Sequence, residues 1–412
     1  MRILILTQYF WPEAFRINDL AVALAGRGHA ITVLTGLPNY PGGSLFPGYS
    51  LLGPSEEQHE GVRVLRVPLV PRGLRRSWQL AINYISFTVS ASLLGPLRCR
   101  GPFDVLFVYE PSPILIGIPA LVLRRLKGLP LVLWVQDLWP ESLRATGAVT
   151  SPLLLRAVAR LVRYIYRGCD RVLVQSRGFV DRVVAVGAER ERVSYLPNWA
   201  ESLYAPLELE PDAPERSEVP DGFRVLFAGN IGAAQSFETI LDAAQLLRHH
   251  AEVHWVIVGD GHRKAWVEEQ VRERGLGSSV HLLGPRPVGS MPRYLALGDA
   301  LLVTLRRDPV FELTIPTKLQ SYLACGRPVL AALDGEGARV VEEAGAGLTC
   351  PAEDPRALAA GVLRLLEMGT AGRCQLGERG RAYFAAHFER EHLITRVEEE
   401  LRRAVTEARC AS

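Results

Sequence analysis

Hydrophobic residues recur along the chain in two alternating patterns. Short apolar runs, such as RILILTQ at 2–8 and AITVLTG at 30–36, are typical of buried strands. Between them, residues 15–27 carry apolar side chains at helical spacing, and Gly28 stands where a helix would end. Near-continuous apolar strands that alternate with helices predict a parallel sheet covered on both faces.

The alternation of strands and helices occurs twice. Further strands are predicted at VRVLRVP, DVLFVYE, PLVLWVQD and DRVLVQS, and residues 201–222 form a polar, Pro- and Glu-rich linker. The pattern then restarts with FRVLFAGN, VHWVIVGDG, VHLLG, DALLVTL, PVLAAL and AGLTC. We therefore expect an α/β fold of two doubly wound Rossmann-like domains that face a central cleft, with ligands at the carboxyl ends of the strands. The predicted domains are 1–200 and 201–386, and a final segment, 387–412, with a helix over 387–403, is expected to pack back on the first domain.

Composition narrows the class of protein. The chain has 412 residues, of which 48% are hydrophobic and 22% charged, and a net charge of +3 is too small to indicate nucleic-acid binding. Six cysteines without a C-x-x-C pair favour a reducing compartment and no structural zinc. The N-terminal apolar run is short and lacks the features of a signal peptide. We expect a cytoplasmic protein.

One stretch in the second half predicts an anion site. In FELTIPTKLQSYLACGRPVL, residues 311–330, a helix is expected over 318–325. Pro316 suits its first turn, and Thr314 or Thr317 could cap it. A helix N-terminus beside Lys318 presents free N–H groups and a positive charge to a phosphate. At this point an ordinary capped helix with a surface lysine explains the pattern equally well.

Common nucleotide motifs are absent from the sequence. No glycine follows the first strand, and in VGDGHRK the third glycine of the dinucleotide fingerprint is replaced by Lys264. There is no Walker-type loop, no H-E-x-x-H and no D-x-D pair. Any phosphate would therefore bind to helix ends and basic side chains, without a metal or a resident cofactor.

Six stretches, taken in order, resemble a known family. They are QYFWPE…FRINDLAVALAGRGHAITVLTGLPNYPGG, WVQDLWPES, FAGNIGAAQSFETILDAA, VGDGHRK, TIPTKLQSYLACGRPVL and EAGAGLTCPAEDPRALA. With them the chain resembles glycosyltransferase family 4, which has the two-domain GT-B fold and retains anomeric configuration. Within it, the chain is similar to bacterial polysaccharide enzymes of the colanic-acid and fucosamine transferase type. The resemblance covers essentially the whole chain.

The resemblance implies a reaction and a donor site. A hexosyl group would pass, without a metal, from a nucleoside-diphosphate sugar, with UDP favoured by the subgroup, to an acceptor hydroxyl on the first domain. Lys318 would stabilise the leaving diphosphate and count among the catalytic residues, and Arg286 would lie near the base or the phosphates. The remaining donor-binding positions implied by the family are Gly229, Asn230, Gly232, Gln235, Glu312, Thr314, Pro316, Thr317 and Ser321.

The sequence departs from the family pattern in two places. Many members have Arg and Lys near the positions of the neutral Asn230 and Gln235, so Lys318 must neutralise more of the diphosphate charge. The family's Glu-x7-Glu pair is matched only by Glu312, one residue out of step, and by Ser321 in place of the second Glu. Serine binds a ribose more weakly than a carboxylate does.

Two acids follow a strand of the first half and are the other candidate catalytic residues. Asp137 and Glu141 come after PLVLWVQ and could orient the acceptor or stabilise positive charge on the reacting sugar. A helix cap at Asp137 and a solvated first-turn acid at Glu141 are the structural alternatives. Arg16 could reach the phosphates or lie on the surface, and Glu110 follows another strand at the same edge.

A basic and apolar surface is predicted in the first domain. Residues 77–97 contain no charge in 21 positions, but interspersed polar residues and Gly95-Pro96 favour a buried or interfacial helix over a membrane span. Arg75 and Arg76 precede it. Arginines spaced 4, 3 and 4 residues apart share a face of a later helix without an acid between 151 and 168: Arg156, Arg160, Arg163 and Arg167.

These features suggest where the protein acts. We expect peripheral attachment to the anionic inner face of the cytoplasmic membrane and a lipid-linked saccharide acceptor, such as a polyprenyl-diphosphate saccharide. The implied pathway is bacterial surface polysaccharide, lipopolysaccharide or O-antigen synthesis. The alternatives are a UDP-sugar 2-epimerase or phosphorylase-type GT-B enzyme and a non-catalytic sugar-nucleotide-binding scaffold. Product analysis separates them, because only a transferase forms a new glycosidic bond.

Overall fold

The computed structural model describes residues 1–51, 53–73, 77–145 and 149–410. The chain divides into two compact units, residues 1–196 with 394–412, and residues 197–393. Each unit is an α/β domain built around a parallel sheet, so the predicted fold class is confirmed.

In its described ranges, the first domain contains eight strands and six helices before the linker. In chain order they are β1 (Arg2–Leu6), α1 (Arg16–Gly26), β2 (Ala30–Gly36), β3 (Glu56–His59), β4 (Val62–Val67), α2 (Ser77–Arg98), β5 (Val105–Glu110), α3 (Gly117–Lys127), β6 (Leu131–Val135), α4 (Glu141–Ala145), α5 (Pro152–Arg167), β7 (Arg171–Val174), α6 (Arg177–Val186) and β8 (Val193–Tyr195). The sheet order is β3-β4-β2-β1-β5-β6-β7-β8, and only β3 is antiparallel to its neighbour. The parallel strands are almost fully buried, as their continuous apolar sequences predict.

The second domain has a six-stranded, wholly parallel sheet in the order β11-β10-β9-β12-β13-β14. Its elements are α7 (Pro214–Ser217), β9 (Phe223–Ala228), α8 (Phe237–Leu246), β10 (Val253–Val258), α9 (Lys264–Glu273), β11 (Val280–Gly284), α10 (Met291–Leu297), β12 (Ala300–Thr304), α11 (Pro309–Glu312), α12 (Thr317–Ala324), β13 (Val329–Ala332), α13 (Glu336–Ala344), β14 (Gly347–Cys350), α14 (Pro355–Glu367) and α15 (Gly369–His387). Apolar clusters on both faces of the sheet form its core.

The last helix, α16 (Arg390–Cys410), belongs to the first domain from Ile394 onward. Glu398 accepts hydrogen bonds from Arg27 at 2.6 Å and from His29 at 2.5 Å, and Glu400 pairs with Arg171. The predicted helix over 387–403 was wrong at both ends, because α15 continues to His387 and the final helix runs seven residues further.

The long helix α2 runs through Gly95 and Pro96 without a break. A proline removes only one backbone hydrogen bond, and near the helix C-terminus that loss is small. Gly95 is needed for packing, because a Cβ there would lie 2.9 Å from Leu34 Cδ2. The expected interruption at this point was therefore wrong. α2 packs beside α3, and α3 beside α5.

Candidate functional site

The strand order of the second domain places a candidate site at the carboxyl ends of β9 and β12. From β9 the chain proceeds to β10 on one side, whereas β12 pairs with β9 on the other. Ligands of doubly wound sheets bind outside such a switch point. The loop after β9, the loop after β12 and the N-terminus of α12 supply residues here.

Lys318, in the first turn of α12, is the centre of this group. Its Nζ donates a hydrogen bond to Gln235 Oε1 at 2.9 Å and lies 3.7 Å from the centre of the Phe227 ring. Gln235 is held in turn, because Thr304 Oγ1 donates to its carbonyl oxygen at 2.6 Å. The ammonium therefore contacts an amide and an aromatic face, both of which are neutral.

No carboxylate in the described part of the chain lies within ion-pair distance of Lys318. Burial lowers the pKa of its ammonium to about 7, because the charged form loses its hydration. A half-buried cation without a counter-ion can take one from a ligand. The first N–H groups of α12 lie beside it and add further positive potential.

Glycines bring two loops of this site together. Gly229 has a φ of +136°, and a Cβ built on it would lie 3.3 Å from Lys318 Nζ. Gly259 has a φ of +144°, and its Cβ would meet the carbonyl oxygen of Gly229 at 1.9 Å. Asn230 is exposed beside the buried Gly232. The loop after β9 is thus shaped by residues without side chains next to the lysine.

The other predicted donor residues fall into different environments. Arg286 is already paired, donating to Glu218 at 2.5 Å and to the Tyr294 hydroxyl at 2.9 Å. Glu312, at the end of α11, is half-buried, and its carbonyl oxygen would collide with any Cβ at Gly335, which has a φ of +74°. Ser321 is half-buried one turn along α12 from Thr317.

Neither threonine caps α12, contrary to the sequence-based expectation. The cap residue is Pro316, which has no side-chain acceptor. Thr314 instead donates its hydroxyl to the carbonyl oxygen of Val310 at 2.9 Å, and Thr317 is exposed as the first residue of the helix. The first N–H groups of α12 are consequently left without a side-chain cap.

In the first domain, two acids stand at the carboxyl ends of neighbouring strands. Glu110 ends β5 and pairs in register with Val135 of β6, and Asp137 follows two residues later. Glu110 is fully buried. Burial, reinforced by the charge of Asp137, raises the pKa of Glu110 well above its ordinary value. Burial also raises the pKa of Asp137, whose Oδ1 accepts a hydrogen bond from Ser142.

Two buried polar atoms near these acids have no hydrogen-bond partner among the described residues. They are Oε2 of Glu141 and the Tyr166 hydroxyl. Burial raises the pKa of Tyr166, and Glu110 adds to that rise. Unpaired buried polar groups are uncommon, and ligands or water usually satisfy them. The structure therefore brings together Asp137, Glu141 and Glu110, which was the weakest candidate of the three in the sequence.

The predicted basic residues occupy an exposed face of the first domain. All four arginines of α5 are exposed, and none lies within ion-pair distance of a carboxylate in the described ranges: Arg156, Arg160, Arg163 and Arg167. Arg16 begins α1 and is half-buried. Arg75 and Arg76 lie outside the described residues. The α5 surface thus carries positive charge that no described acid offsets.

Helix α2 exposes a row of large apolar side chains. The exposed fraction of each is between 41% and 66%, and they share one helical face: Trp78, Ile82, Ile85, Val89, Leu93 and Leu97. By length and composition α2 is the one helix of the described residues that could cross a membrane. A core helix would not expose this many apolar side chains in a row.

Comparison with known proteins identifies the family. Residues 14–199 match the glycosyl transferase 4-like domain, and residues 222–368 match the glycosyl transferases group 1 domain. A Pseudomonas aeruginosa protein named as glycosyltransferase WbjE is 31% identical over 71% of each chain. The chain belongs to glycosyltransferase family 4. Escherichia coli K12 WcaI, named as a colanic acid biosynthesis glycosyl transferase, is 27% identical over 79% of this chain and 82% of its own.

Solved structures of other enzymes have the same fold. Sucrose-phosphate synthase from Thermosynechococcus elongatus superposes with a TM-score of 0.78 at 18% identity, covering 98% of this chain and 99% of that one. Anabaena HepE, in complex with UDP-glucose, gives 0.69 at 19% identity, with coverage of 97% and 99%. The GT-B fold and glycosyltransferase activity are thus established for this chain.

Sequence reasoning missed three contributors to the sites. Phe227 lies beneath Lys318 and Tyr166 faces Glu110, but each appears in the sequence as an ordinary core aromatic. Gly259 was noted only as part of VGDGHRK, which does not complete the dinucleotide-binding fingerprint. Its position directly after an apolar strand, in VGDG, was the available signal.

Replacing Glu110 tests whether it is a buried neutral acid. In the unfolded chain a glutamate ionises near pH 4.3, whereas folding keeps Glu110 protonated, so its contribution to stability falls as pH rises between those two pKa values. Glu110→Gln removes that proton uptake. We expect the free energy of unfolding of the variant, relative to that of the wild type, to rise by up to about 1.4 kcal/mol per pH unit from pH 5 to 8. The melting temperature of the variant, relative to that of the wild type, should rise with it.

Thermal unfolding followed by circular dichroism at each pH measures this difference. Glu141→Gln, a change of the same type in the same group of acids, serves as the comparison. A constant difference between Glu110→Gln and the wild type across this range would show that Glu110 is charged in the folded protein.

Proposed function

We propose that this glycosyltransferase transfers a hexosyl group, with retention and without a metal, from a UDP-linked sugar bound in its second domain. The observation that carries the proposal is Lys318, a half-buried ammonium with only neutral partners beside the uncapped start of α12. A diphosphate is the ligand that such a site fits, because it supplies the missing negative charge.

The same geometry supports a role in bond cleavage. When the bond between the anomeric carbon and the β-phosphate oxygen breaks, negative charge grows on that phosphate. Lys318 and the N–H groups of α12 are fixed before the reaction and would stabilise this charge as it develops. Neutral Asn230 and Gln235 leave the lysine as the principal cation near the diphosphate, and the glycine at 229 lets the donor approach it.

The acceptor in this proposal is a lipid-linked saccharide, and the enzyme attaches peripherally to the inner face of the cytoplasmic membrane. Support comes from the exposed apolar row on α2 and from the exposed arginines of α5 in the same domain. Apolar side chains can enter the lipid interface, and each arginine near an anionic surface contributes about 1 kcal/mol. Asp137 and Glu141 would orient the acceptor hydroxyl.

The relatives favour a place in bacterial surface polysaccharide synthesis. WcaI is named for colanic acid biosynthesis, and Erwinia amylovora AmsK, 23% identical over 48% of this chain, is named for amylovoran biosynthesis. Anabaena HepE was solved with UDP-glucose. These names support a UDP-sugar donor and a polysaccharide product. Lipopolysaccharide O-antigen is the further product class that we include in the proposal.

Removing Lys318 tests the donor site. Lys318→Ala should weaken UDP binding at least tenfold, or about 1.4 kcal/mol, because the diphosphate loses its principal cation. UDP should also bind the wild type more tightly than GDP. Isothermal titration calorimetry with both nucleotides measures these affinities.

Lys127→Ala, the same change at the end of α3 in the other domain, is the control and should leave the UDP affinity unaltered. Product analysis with UDP-sugars then separates a transferase from an epimerase. Undiminished UDP binding by Lys318→Ala would contradict the proposed donor site.

A charge on the exposed face of α2 tests membrane attachment. Leu97 is 64% exposed, and Leu97→Glu should lower binding to anionic phospholipid vesicles at least tenfold, because an apolar contact is replaced by a repelled carboxylate. Co-sedimentation with vesicles measures the effect. Leu246→Glu, on an exposed leucine of α8 in the second domain, is the matched control. Equal vesicle binding by both variants would refute attachment through α2.

A further inference from the structure

A groove with almost entirely apolar walls runs beside α2 in the first domain. Its volume is about 730 Å³, within the roughly 300–1,000 Å³ typical of small-molecule sites. One wall is the segment after β4, including Leu69, Val70 and Pro71, and the other is α2, including Ile82 and Val89. Among the described residues, no charged side chain lines it. Its ligand should therefore be a hydrocarbon.

Hydrogen bonds hold the two walls of the groove together. The Val70 N–H donates to Ser86 Oγ at 2.9 Å, and Asn83 Nδ2 donates to the Val70 carbonyl oxygen at 2.7 Å. Asn83 is fully buried and is fixed in turn by Gln8, whose Nε2 donates to it at 2.8 Å. The groove is therefore formed before any ligand arrives, which lowers the entropy cost of binding.

The residue that follows this groove wall in the chain is an arginine. Arg72 is the residue after Pro71, and its Nη1 donates to the Tyr9 hydroxyl at 2.7 Å. Its guanidinium also lies over the rings of Tyr9 and Tyr40, at 5.6 Å and 4.9 Å from their centres. No carboxylate of the described ranges is within ion-pair distance of it. Arg72 can thus bind an anionic group at the end of the groove by donating hydrogen bonds to it.

This end of the groove is on the reactive side of the domain. Tyr9 and Tyr40 follow β1 and β2 at the carboxyl edge of the sheet, where Asp137 follows β6. Burial raises the pKa of Tyr84 on α2, Arg72 acts to lower it and Asp137 acts to raise it. The Tyr84 hydroxyl is therefore within electrostatic reach of both the cation and the candidate acceptor-orienting acid.

We propose that the groove binds the hydrocarbon chain of the acceptor lipid and that Arg72 binds its diphosphate. This rests on the proposed transfer to a lipid-linked saccharide and adds a specific site to it. A bulk phospholipid has no reason to place its head group at the carboxyl edge of the sheet. An acceptor lipid must do so, because its saccharide has to reach the acids there.

Direct binding of isoprenoids tests the groove without requiring catalysis. Geranylgeranyl diphosphate should bind the full-length protein at least tenfold more tightly than isopentenyl diphosphate, which lacks the long chain. Ser90→Phe fills the groove, and Val89→Asn makes its exposed rim polar. Each should weaken geranylgeranyl diphosphate binding about tenfold. Leu97→Phe, on the same helix but outside the groove, should not.

Arg72→Gln tests the head-group site. It should weaken binding of geranylgeranyl diphosphate but not of geranylgeraniol, the neutral alcohol with the same chain. Titration calorimetry measures all affinities, and circular dichroism together with UDP binding to the second domain shows that each variant is folded.

Three outcomes would overturn the inference. They are equal binding of the two diphosphates to the wild type, undiminished binding by both groove variants, and equal competition by dihexanoyl phosphatidylglycerol, which would indicate a general phospholipid site. If UDP and vesicles still bind in any of these cases, the groove assignment fails and the proposed function stands. If isoprenoids bind as expected but UDP does not, the donor assignment fails and the groove stands.

Discussion

The half-buried ammonium of Lys318 is the constraint on which the function of this glycosyltransferase depends. A lysine withdrawn from water normally acquires a carboxylate partner, because an unpaired buried charge is costly. Here its partners are the amide of Gln235 and the ring of Phe227, neither of which carries a charge. The fold tolerates this cost at the carboxyl edge of a doubly wound sheet, where a ligand can supply the anion.

The rest of the second domain is arranged around that lysine. Strand order puts the loops after β9 and β12 side by side. Gly229 and Gly259 allow the loops after β9 and β10 to touch, and Pro316 starts α12 without a capping side chain. The first domain differs from the second in its charged groups. It has buried acids at the carboxyl edge of its sheet and an apolar and basic surface on α2 and α5.

Much of the fold could be predicted from the sequence, since continuous Val and Leu runs separated by helices leave few alternatives to parallel sheets. Lys318 could be singled out because it follows a proline at a helix start. The environment of the lysine could not be predicted, because Gln235 and Phe227 come from segments more than eighty residues away and reach it only through the strand order. The periodicity of hydrophobic residues likewise could not show that Glu110 is fully buried while Asp137 is only partly buried.

Errors at helix ends have local causes. Pro96 lies too near the end of α2 to break it, and α16 extends beyond the predicted boundary because its apolar positions, such as Leu401 and Ala404, stay buried in the first domain. Thr314 bonds to its own α11 turn instead of capping the next helix. In each case tertiary packing or a nearer acceptor decided the outcome, and neither is visible in propensity alone.

The most direct test of this account is the pH dependence of UDP affinity in the wild-type protein. Between pH 7.5 and 8.5 UDP is already fully ionised, because a terminal phosphate loses its second proton near pH 6. Lys318 has a pKa of about 7 and must take up a proton to bind the diphosphate. We predict that the affinity measured by calorimetry falls roughly eightfold over this interval, with proton uptake on binding. An affinity that stays constant, without proton uptake, would contradict the claim that a half-buried, uncompensated lysine binds the donor.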